Sequence, residues 1–334
     1  MARHRPARRL RRGQRGLPAA PGRAAAAGRA HPGGGAVSRV LLFGASGFLG
    51  RHVHSALLDH PRVGDVVCPG RDQCDLVAAT VGEITGLLRS QRPTAIVNCT
   101  GLLDGDTTQL MLANTVVTAK LLDAIAATDP RIRLVRLGSA GEYGPVPFRL
   151  PVAETEAARP ISPYGLSHLT ATRLVYTAAR HGRVDGVTLR VFNPIGAGSG
   201  EAGLLGRAAA QLRHATMRDC ASVTFGPLSA YRDFVDARDV GTAVTAAVLA
   251  PRMPSRILNV GSGRAVQARA AVQALARLAG YRGDIVESGQ GAARSAEISW
   301  MCADISRAMA MLGWRPVHAF EDSLTAVWAG LSPA

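Results

Sequence analysis

From Val37 onward, the hydrophobic and polar positions of the chain alternate between short, continuously apolar runs and longer stretches with helical spacing. The run Val40-Leu41-Leu42-Phe43 is apolar and β-prone, and a helical stretch over Arg51 to Leu58 follows it across Gly44-Ala45-Ser46-Gly47-Phe48-Leu49-Gly50. A second strand is predicted over Val63 to Cys68, then a helix over Val77 to Arg89 introduced by Asp75-Leu76. Ala95-Ile96-Val97-Asn98-Cys99-Thr100-Gly101 reads as another buried strand ending in a polar turn. Leu110 to Ala127, which contains Asn114, has the period of a long amphipathic helix, and Leu134-Val135-Arg136-Leu137 that of a strand. A further helix is predicted to open at Ser162-Pro163-Tyr164-Gly165-Leu166-Ser167-His168 and to run through Ala179. Repeated strand–helix alternation means an α/β protein, a parallel sheet with helices on both faces.

Composition narrows the class. At 334 residues, 47% hydrophobic and 19% charged, the chain is long enough for one large domain or two ordinary ones. No apolar run approaches the roughly 18 residues of a membrane span, so no membrane association is expected. Cys68, Cys74, Cys99, Cys220 and Cys302 include no CxxC pair and lack clustered histidines, which argues against a metal site and for reduced thiols in the cytoplasm. The net charge of +15 is unevenly spread, because residues 1–39 hold ten arginines and no acidic residue while the remainder balances 29 basic against 24 acidic residues. Residues 1–36, rich in Ala, Pro and Gly and without the apolar core of a secretory signal, are expected to form a disordered basic tail. The single lysine, Lys120, against 38 arginines fits the codon bias of a GC-rich genome and an over-long reading frame, and no nucleic-acid partner is expected.

The glycine turn carries the first candidate chemistry. Gly44, Gly47 and Gly50 lie between a strand and a helix, where glycine allows a tight turn, a close approach to a pyrophosphate and close helix–strand packing. The helix start adds free N–H groups and the positive end of its dipole. About 20 residues on, Pro69-Gly70-Arg71-Asp72 ends the second strand, where such a fold reads the adenosine ribose. Arg71 would pair with a 2′-phosphate and Asp72 with a 2′-hydroxyl, so NADP and NAD both stay open, with Arg71 favouring NADP.

Taken together, the Gly44/Gly47/Gly50 turn, the strand-end Ser139, the Tyr164 helix start, Leu189-Arg190-Val191-Phe192-Asn193-Pro194, Tyr231-Arg232-Asp233-Phe234-Val235-Asp236 and Leu258-Asn259-Val260-Gly261-Ser262-Gly263 resemble the extended short-chain dehydrogenase/reductase family of NAD(P)-dependent sugar epimerases, dehydratases and reductases. The resemblance spans about residues 37 to 330. It implies a doubly wound parallel Rossmann sheet, built from residues 37–190 and 230–262, with a smaller C-terminal α/β substrate lobe from 191–229 and 263–330. It implies catalytic roles for Tyr164, which passes a proton to or from the substrate oxygen, for Ser139, which shares that oxygen, and for His168, which stands where the family's lysine supports the tyrosine. To the cofactor it assigns Gly44, Ser46, Gly47, Phe48, Leu49, Gly50, Arg71, Asp75, Leu76, Cys99, Thr100, Gly101 and Asn114, together with Tyr164 and His168. To the substrate it assigns Ser139, Asn193, Arg232 and Arg294, the two arginines favouring a diphosphate. A homodimer through the helices starting near Thr107 and Pro163 is also implied, whereas Trp314 reads as core packing.

Two departures from the family pattern shape the functional expectation. Family members carry a lysine one helical turn after the tyrosine, and this chain has His168 there. Spacing of four keeps it on the same helix face, where an imidazole can donate to a ribose hydroxyl but is charged only part of the time near pH 7. Ser139 is followed by Ala140-Gly141 where dehydratases carry an acidic pair, which argues against elimination; Glu142, one place on, reads as an ordinary loop carboxylate, with a remote substitute for that pair as the alternative. The pattern looks closest to reductases of GDP-4-keto-6-deoxymannose, so the expected function is NADPH-dependent reduction of a keto-deoxysugar, nucleotide-linked or attached to a natural product. The alternatives are an NAD-dependent nucleotide-sugar 4-epimerase and a dinucleotide-binding protein weakened by His168.

Overall fold

In the computed structural model the described residues are Met1, 37–289 and 297–331. The expected tail and Arg294 therefore lie outside the described residues. The chain runs through β1 (Val37–Phe43), α1 (Phe48–Leu58), β2 (Val63–Val67), α2 (Val81–Gln91) and β3 (Ala95–Asn98). A helical stretch follows as α3 (Thr107–Leu110), a π-helical segment (Met111–Val116) and α4 (Val117–Ala126). Next come β4 (Arg133–Ser139), α5 (Pro163–Arg180) and β5 (Asp185–Val191), then β6 (Pro194–Ile195), α6 (Leu204–Met217) and β7 (Ser222–Phe225). The C-terminal part comprises β8 (Tyr231–Asp233), β9 (Val235–Asp236), α7 (Ala237–Leu249), β10 (Ile257–Val260), β11 (Ala265–Gln267), α8 (Ala268–Leu278), β12 (Asp284–Glu287), α9 (Ser306–Leu312) and α10 (Phe320–Ala329).

Six parallel strands form the central sheet in the order β10-β5-β4-β3-β1-β2. After β2 the chain crosses back to β3 on the other side of β1, which makes the carboxyl ends of β1 and β3 the topological switch point where such sheets bind ligands. Helices cover both faces. One core packs Val40, Leu42, Val97, Val135 and Leu189 with Val53 and Leu57 of α1, Val240 and Val244 of α7, and Trp314. The other packs Leu41, Phe43, Ile96 and Leu134 with Ile84 and Leu88 of α2, Leu121 and Ile125 of α4, and Val175 of α5. A third cluster, built on Leu205, Leu212, Phe225, Phe234, Val272, Leu275 and Leu324, joins α6, β7, α8 and α10.

Two helices differ from the sequence expectation for local reasons. α2 starts at Val81 rather than Val77, because Thr80 caps it with a reciprocal pair: Thr80 Oγ1 accepts from Glu83 N at 3.2 Å while Glu83 Oε2 accepts from Thr80 N at 2.7 Å. The segment before it is pinned by Lys120, whose Nζ donates to the carbonyls of Val77 and Ala79 at 2.8 Å each. Leu110 to Ala127 stays helical but widens into the π segment around buried Asn114.

Candidate active site

At the switch point the backbone itself forms the cradle. Gly44 has φ +78°, and a Cβ there would stand 2.9 Å from Cys99 C and Thr100 N, so only glycine lets β1 and β3 turn out side by side. A Cβ on Gly50 would overlap the Gly44 carbonyl oxygen. Gly47 N donates to Gly44 O at 3.1 Å and the Gly47 carbonyl accepts from Arg51 N at 3.0 Å, closing the turn into α1. α1 has no side-chain cap and no acidic residue in its first turn, so its unsatisfied N–H groups and dipole are available to an anion. These features fit the pyrophosphate of a dinucleotide. Arg71 and Asp72 lie exposed in the turn beyond β2. Asp75 is also exposed and caps its own loop by accepting Val77 N at 3.0 Å, whereas Leu76 is buried in the core.

Beside the cradle, Thr100 Oγ1 donates to Asn98 Oδ1 at 2.6 Å, which fixes the Cys99–Gly101 turn. Asn114 holds the next residue: its Oδ1 accepts from Leu102 N at 2.8 Å, and its amide hydrogens go to Leu102 O and Ser167 Oγ, both at 3.0 Å. With both hydrogens spent, Asn114 shapes the loop after β3 and ties it to α5.

The residues expected to be catalytic lie where β4 meets α5. Ser139 ends β4 and caps a short 3₁₀ turn, its Oγ accepting from Gly141 N at 3.1 Å. Pro163 begins α5, and Ser162 Oγ caps that helix by accepting from Gly165 N at 3.2 Å. A side chain on Gly165 would run into the Gly141 carbonyl, so the first turn of α5 lies directly on the 3₁₀ turn. A Cβ on Gly141 would stand 3.3 Å from both Ser139 Oγ and Tyr164 Cε1, which brings the serine and the half-buried tyrosine to one spot. His168 follows one turn along α5, its ring centroid 4.7 Å from that of Tyr164.

His168 corrects the sequence reading. It is buried, and its Nδ1 lies 3.1 Å from Nη2 of Arg136. A guanidinium can only donate, so Nδ1 accepts and the ring proton sits on Nε2. Burial, then the charge of Arg136, holds the imidazole well below its ordinary value, so His168 is neutral at pH 7 rather than partly charged.

Glu142 is a second correction. Far from being a loop carboxylate, it is 0% exposed and ion-paired with Arg190, Nε to Oε2 at 2.8 Å. Its Oε1 accepts from Thr172 Oγ1 at 2.9 Å and Ser139 N at 3.1 Å. Arg190 lies 4.4 Å above the Tyr143 ring, and Tyr143 donates to Asn259 Oδ1 at 2.7 Å. Burial opposes the charge on Arg190, but Glu142 and Tyr143 outweigh it and hold its proton more tightly. Arg136, Glu142 and Arg190 were not expected in the site. For Arg136 and Arg190 the sequence signal is an ionisable side chain inside an apolar strand, as in Leu134-Val135-Arg136-Leu137.

The residues expected to meet the substrate are less concentrated. Asn193 donates to Asp233 O at 3.0 Å, and Arg232, part-buried so that its proton is held less tightly, donates to Tyr231 O at 2.8 Å. Asp233, fully buried, accepts from Ser262 N and Oγ at 2.6 Å each and from Gly263 N and Ala303 N at 3.0 Å, organising that side of the cleft. Among the described residues no cluster could hold a metal, and no helix is long and apolar enough to cross a membrane.

The model of the NAD dependent epimerase/dehydratase family matches residues 40–261. The chain is 34% identical over 310 residues to dTDP-6-deoxy-L-talose 4-dehydrogenase (NAD(P)(+)) of Kitasatospora kifunensis, covering 90% of this chain and 97% of that one. To GDP-6-deoxy-D-mannose reductase of Pseudomonas aeruginosa it is 26% identical over 299 residues, covering 86% and 95%. A solved structure of RMD from Pseudomonas aeruginosa complexed with NADPH shares the fold with a TM-score of 0.78 at 24% identity, covering 88% of this chain and 98% of that one. The chain belongs to the NAD dependent epimerase/dehydratase family, as its motifs implied.

Proposed function

We propose that the chain is an NAD(P)-dependent oxidoreductase that interconverts a keto group and a hydroxyl on a nucleotide-linked 6-deoxysugar. Its working direction in this reading is ketone reduction with NADPH. The observation that carries the reading is the meeting of Ser139 Oγ and the Tyr164 ring at Gly141, next to a glycine cradle that fits a dinucleotide. The name of the 34% identical relative places its reaction at carbon 4 of a dTDP-linked deoxysugar. Dehydrogenation of a hydroxyl and reduction of the ketone are one reaction in two directions, so that name and the reductase reading support each other.

The dinucleotide, when bound, supplies the two-electron exchange with the sugar carbon. The residues of the chain supply the rest. Gly44, Ser46, Gly47, Phe48, Leu49 and Gly50 would hold the pyrophosphate and Arg71 the 2′-phosphate, while the Cys99–Gly101 turn and the Asp75–Leu76 loop flank it. His168 has one ring donor left, Nε2–H, for a ribose hydroxyl. Tyr164 gives a proton to the carbonyl oxygen in reduction and takes it back in the reverse direction. Ser139 already accepts from Gly141 N, which leaves its own O–H to donate to the same oxygen. Glu142 is sealed among Arg190, Thr172 and Ser139 N and cannot serve as the base of an elimination. Asn193, Arg232 and Arg294 are assigned to the substrate, the two arginines to its diphosphate. The same reading has a cytoplasmic homodimer, using the exposed Leu112, Val116 and Leu166 on the helices after Thr107 and Pro163.

Mixing the enzyme with dTDP-6-deoxy-L-talose and NADP⁺ should raise absorbance at 340 nm in step with sugar oxidised, and Tyr164→Phe should slow this at least about a hundredfold with cofactor affinity kept. Turnover to a 4-epimer without added cofactor would replace the reading with an epimerase. Dinucleotide binding with no turnover of keto- or hydroxysugars would replace it with a binding protein.

A further inference from the structure

The buried charges beneath the tyrosine give Arg136 a part that the motifs do not assign. Arg136 lies on β4 and is 2% exposed, yet among the described residues it makes no ion pair. Its donors go to neutral acceptors: Nε to Thr118 Oγ1 at 3.1 Å, Nη1 to Thr172 Oγ1 at 3.4 Å and Nη2 to His168 Nδ1 at 3.1 Å. The nearest anion in the network, Glu142, is one hydroxyl away through Thr172 and is already ion-paired with Arg190. The three ionised groups Arg136, Arg190 and Glu142 therefore leave one net positive charge buried in the core. Among the described residues the neutral imidazole of His168 links that charge to Tyr164: it is hydrogen-bonded to Arg136 and lies against the Tyr164 ring. The helical stretch facing α5 contributes Asn114, Thr115 and Thr118 to this contact, none of which ionises.

We propose that Arg136 is the positioning residue that supplies the positive charge for Tyr164, acting through His168, and that the pair Arg136–His168 replaces a single cation on the tyrosine's own helix. His168 on its own cannot do this, since it is neutral. A charge buried one ring away acts on the phenol more strongly than the same charge in solvent. Consistent with that coupling, burial pushes the Arg136 guanidinium down only to about 10, against support from Glu142 and Tyr164.

The inference rests on Tyr164 as the acid–base group of the proposed function, so its test is built to fail separately. Phenol ionisation is followed at 295 nm in the cofactor-free protein, and the difference between wild type and Tyr164→Phe isolates Tyr164. In wild type the midpoint should lie below the ordinary phenol value of about 10. Arg136→Met should raise it by about one pH unit or more, a shift expected for removal of a nearby opposite charge. Arg136→Gln, which keeps polar volume in the pocket, gives the same readout if the apolar variant does not fold. Adding His168→Lys to either variant puts a cation back and should return the midpoint toward wild type. With dTDP-6-deoxy-L-talose and NADP⁺, the rise of dehydrogenation rate with pH should move upward together with the midpoint. A wild-type midpoint at or above 10, or one unmoved in folded Arg136 variants, overturns the proposal. The titration uses no substrate, so a wild type inactive on the sugar would count against the proposed function and leave this result standing.

Discussion

The two ends of the site are made of different materials. At the cofactor end, backbone does the work: three glycines, a helix start without a side-chain cap and exposed loop residues beyond β2. At the acid–base end, side chains do it, and most of those that matter are buried: Glu142, Arg190, Arg136 and His168 form a charged network under Ser139 and Tyr164. The first kind of site is open to solvent and cheap to hold in place. The second kind is welded to the core, because each buried charge is tolerated only while its partners stay. Changes at the acid–base end should therefore cost folding stability, whereas changes to the exposed loop residues of the cofactor end, unlike its glycines, should cost affinity alone.

The largest expected effect tests the welded end. Glu142→Ala leaves Arg190 buried beside Tyr143 without its carboxylate and should lower unfolding free energy by about 3–5 kcal/mol, as breaking one side of a buried pair does. Denaturant titration of the purified variant measures it, and a loss below about 1 kcal/mol would show that the network is loosely held. At the other end, Arg71→Ala should weaken NADPH binding by about 1.5–3 kcal/mol, the range for a hydrogen bond to a charged group. NADH binding and melting temperature should be unchanged in that variant; equal losses for both cofactors would remove Arg71 from its role.

A smaller effect follows from His168 through pH. Its folded pKa lies below the ordinary 6.5, so the unfolded chain binds the extra proton first and stability rises with pH in that window. Acidification below about 6.5 should cost up to about 1.4 kcal/mol per pH unit until the folded value is reached. His60, also lowered by burial, contributes in the same direction. His168→Gln should flatten the slope between pH 6.5 and 5, and an unchanged slope would show that His168 is not the neutral, buried group described. The smallest expected effect is none: deleting residues 1–36 should leave melting temperature and turnover as they were.

The same contrast explains what was legible in the sequence. Gly44, Gly47 and Gly50 are spaced along seven consecutive residues, and Tyr164 and His168 along one helical turn, so short-range pattern finds them. The sheet was legible for the same reason, since each strand is a local apolar run. The network is not local. Arg136 meets His168 across 32 positions and Glu142 meets Arg190 across 48, and only the pairing of β4 with β5 and the seat of α5 on Gly141 bring them together. Nothing local in the sequence marks Glu142 as buried: the 3₁₀ turn after β4 folds it back onto the Ser139 amide. The start of α2 was misplaced because apolar period ran on past Thr80, whereas the capping pair with Glu83 decided the boundary.

The most direct test of the account follows the hydrogen at carbon 4. With dTDP-6-deoxy-L-talose carrying deuterium at that carbon and NADP⁺ in excess, mass spectrometry should find one deuterium in each reduced cofactor formed and a 4-keto sugar without it. Deuterium retained in a sugar inverted at carbon 4, with no reduced cofactor released, would contradict the account.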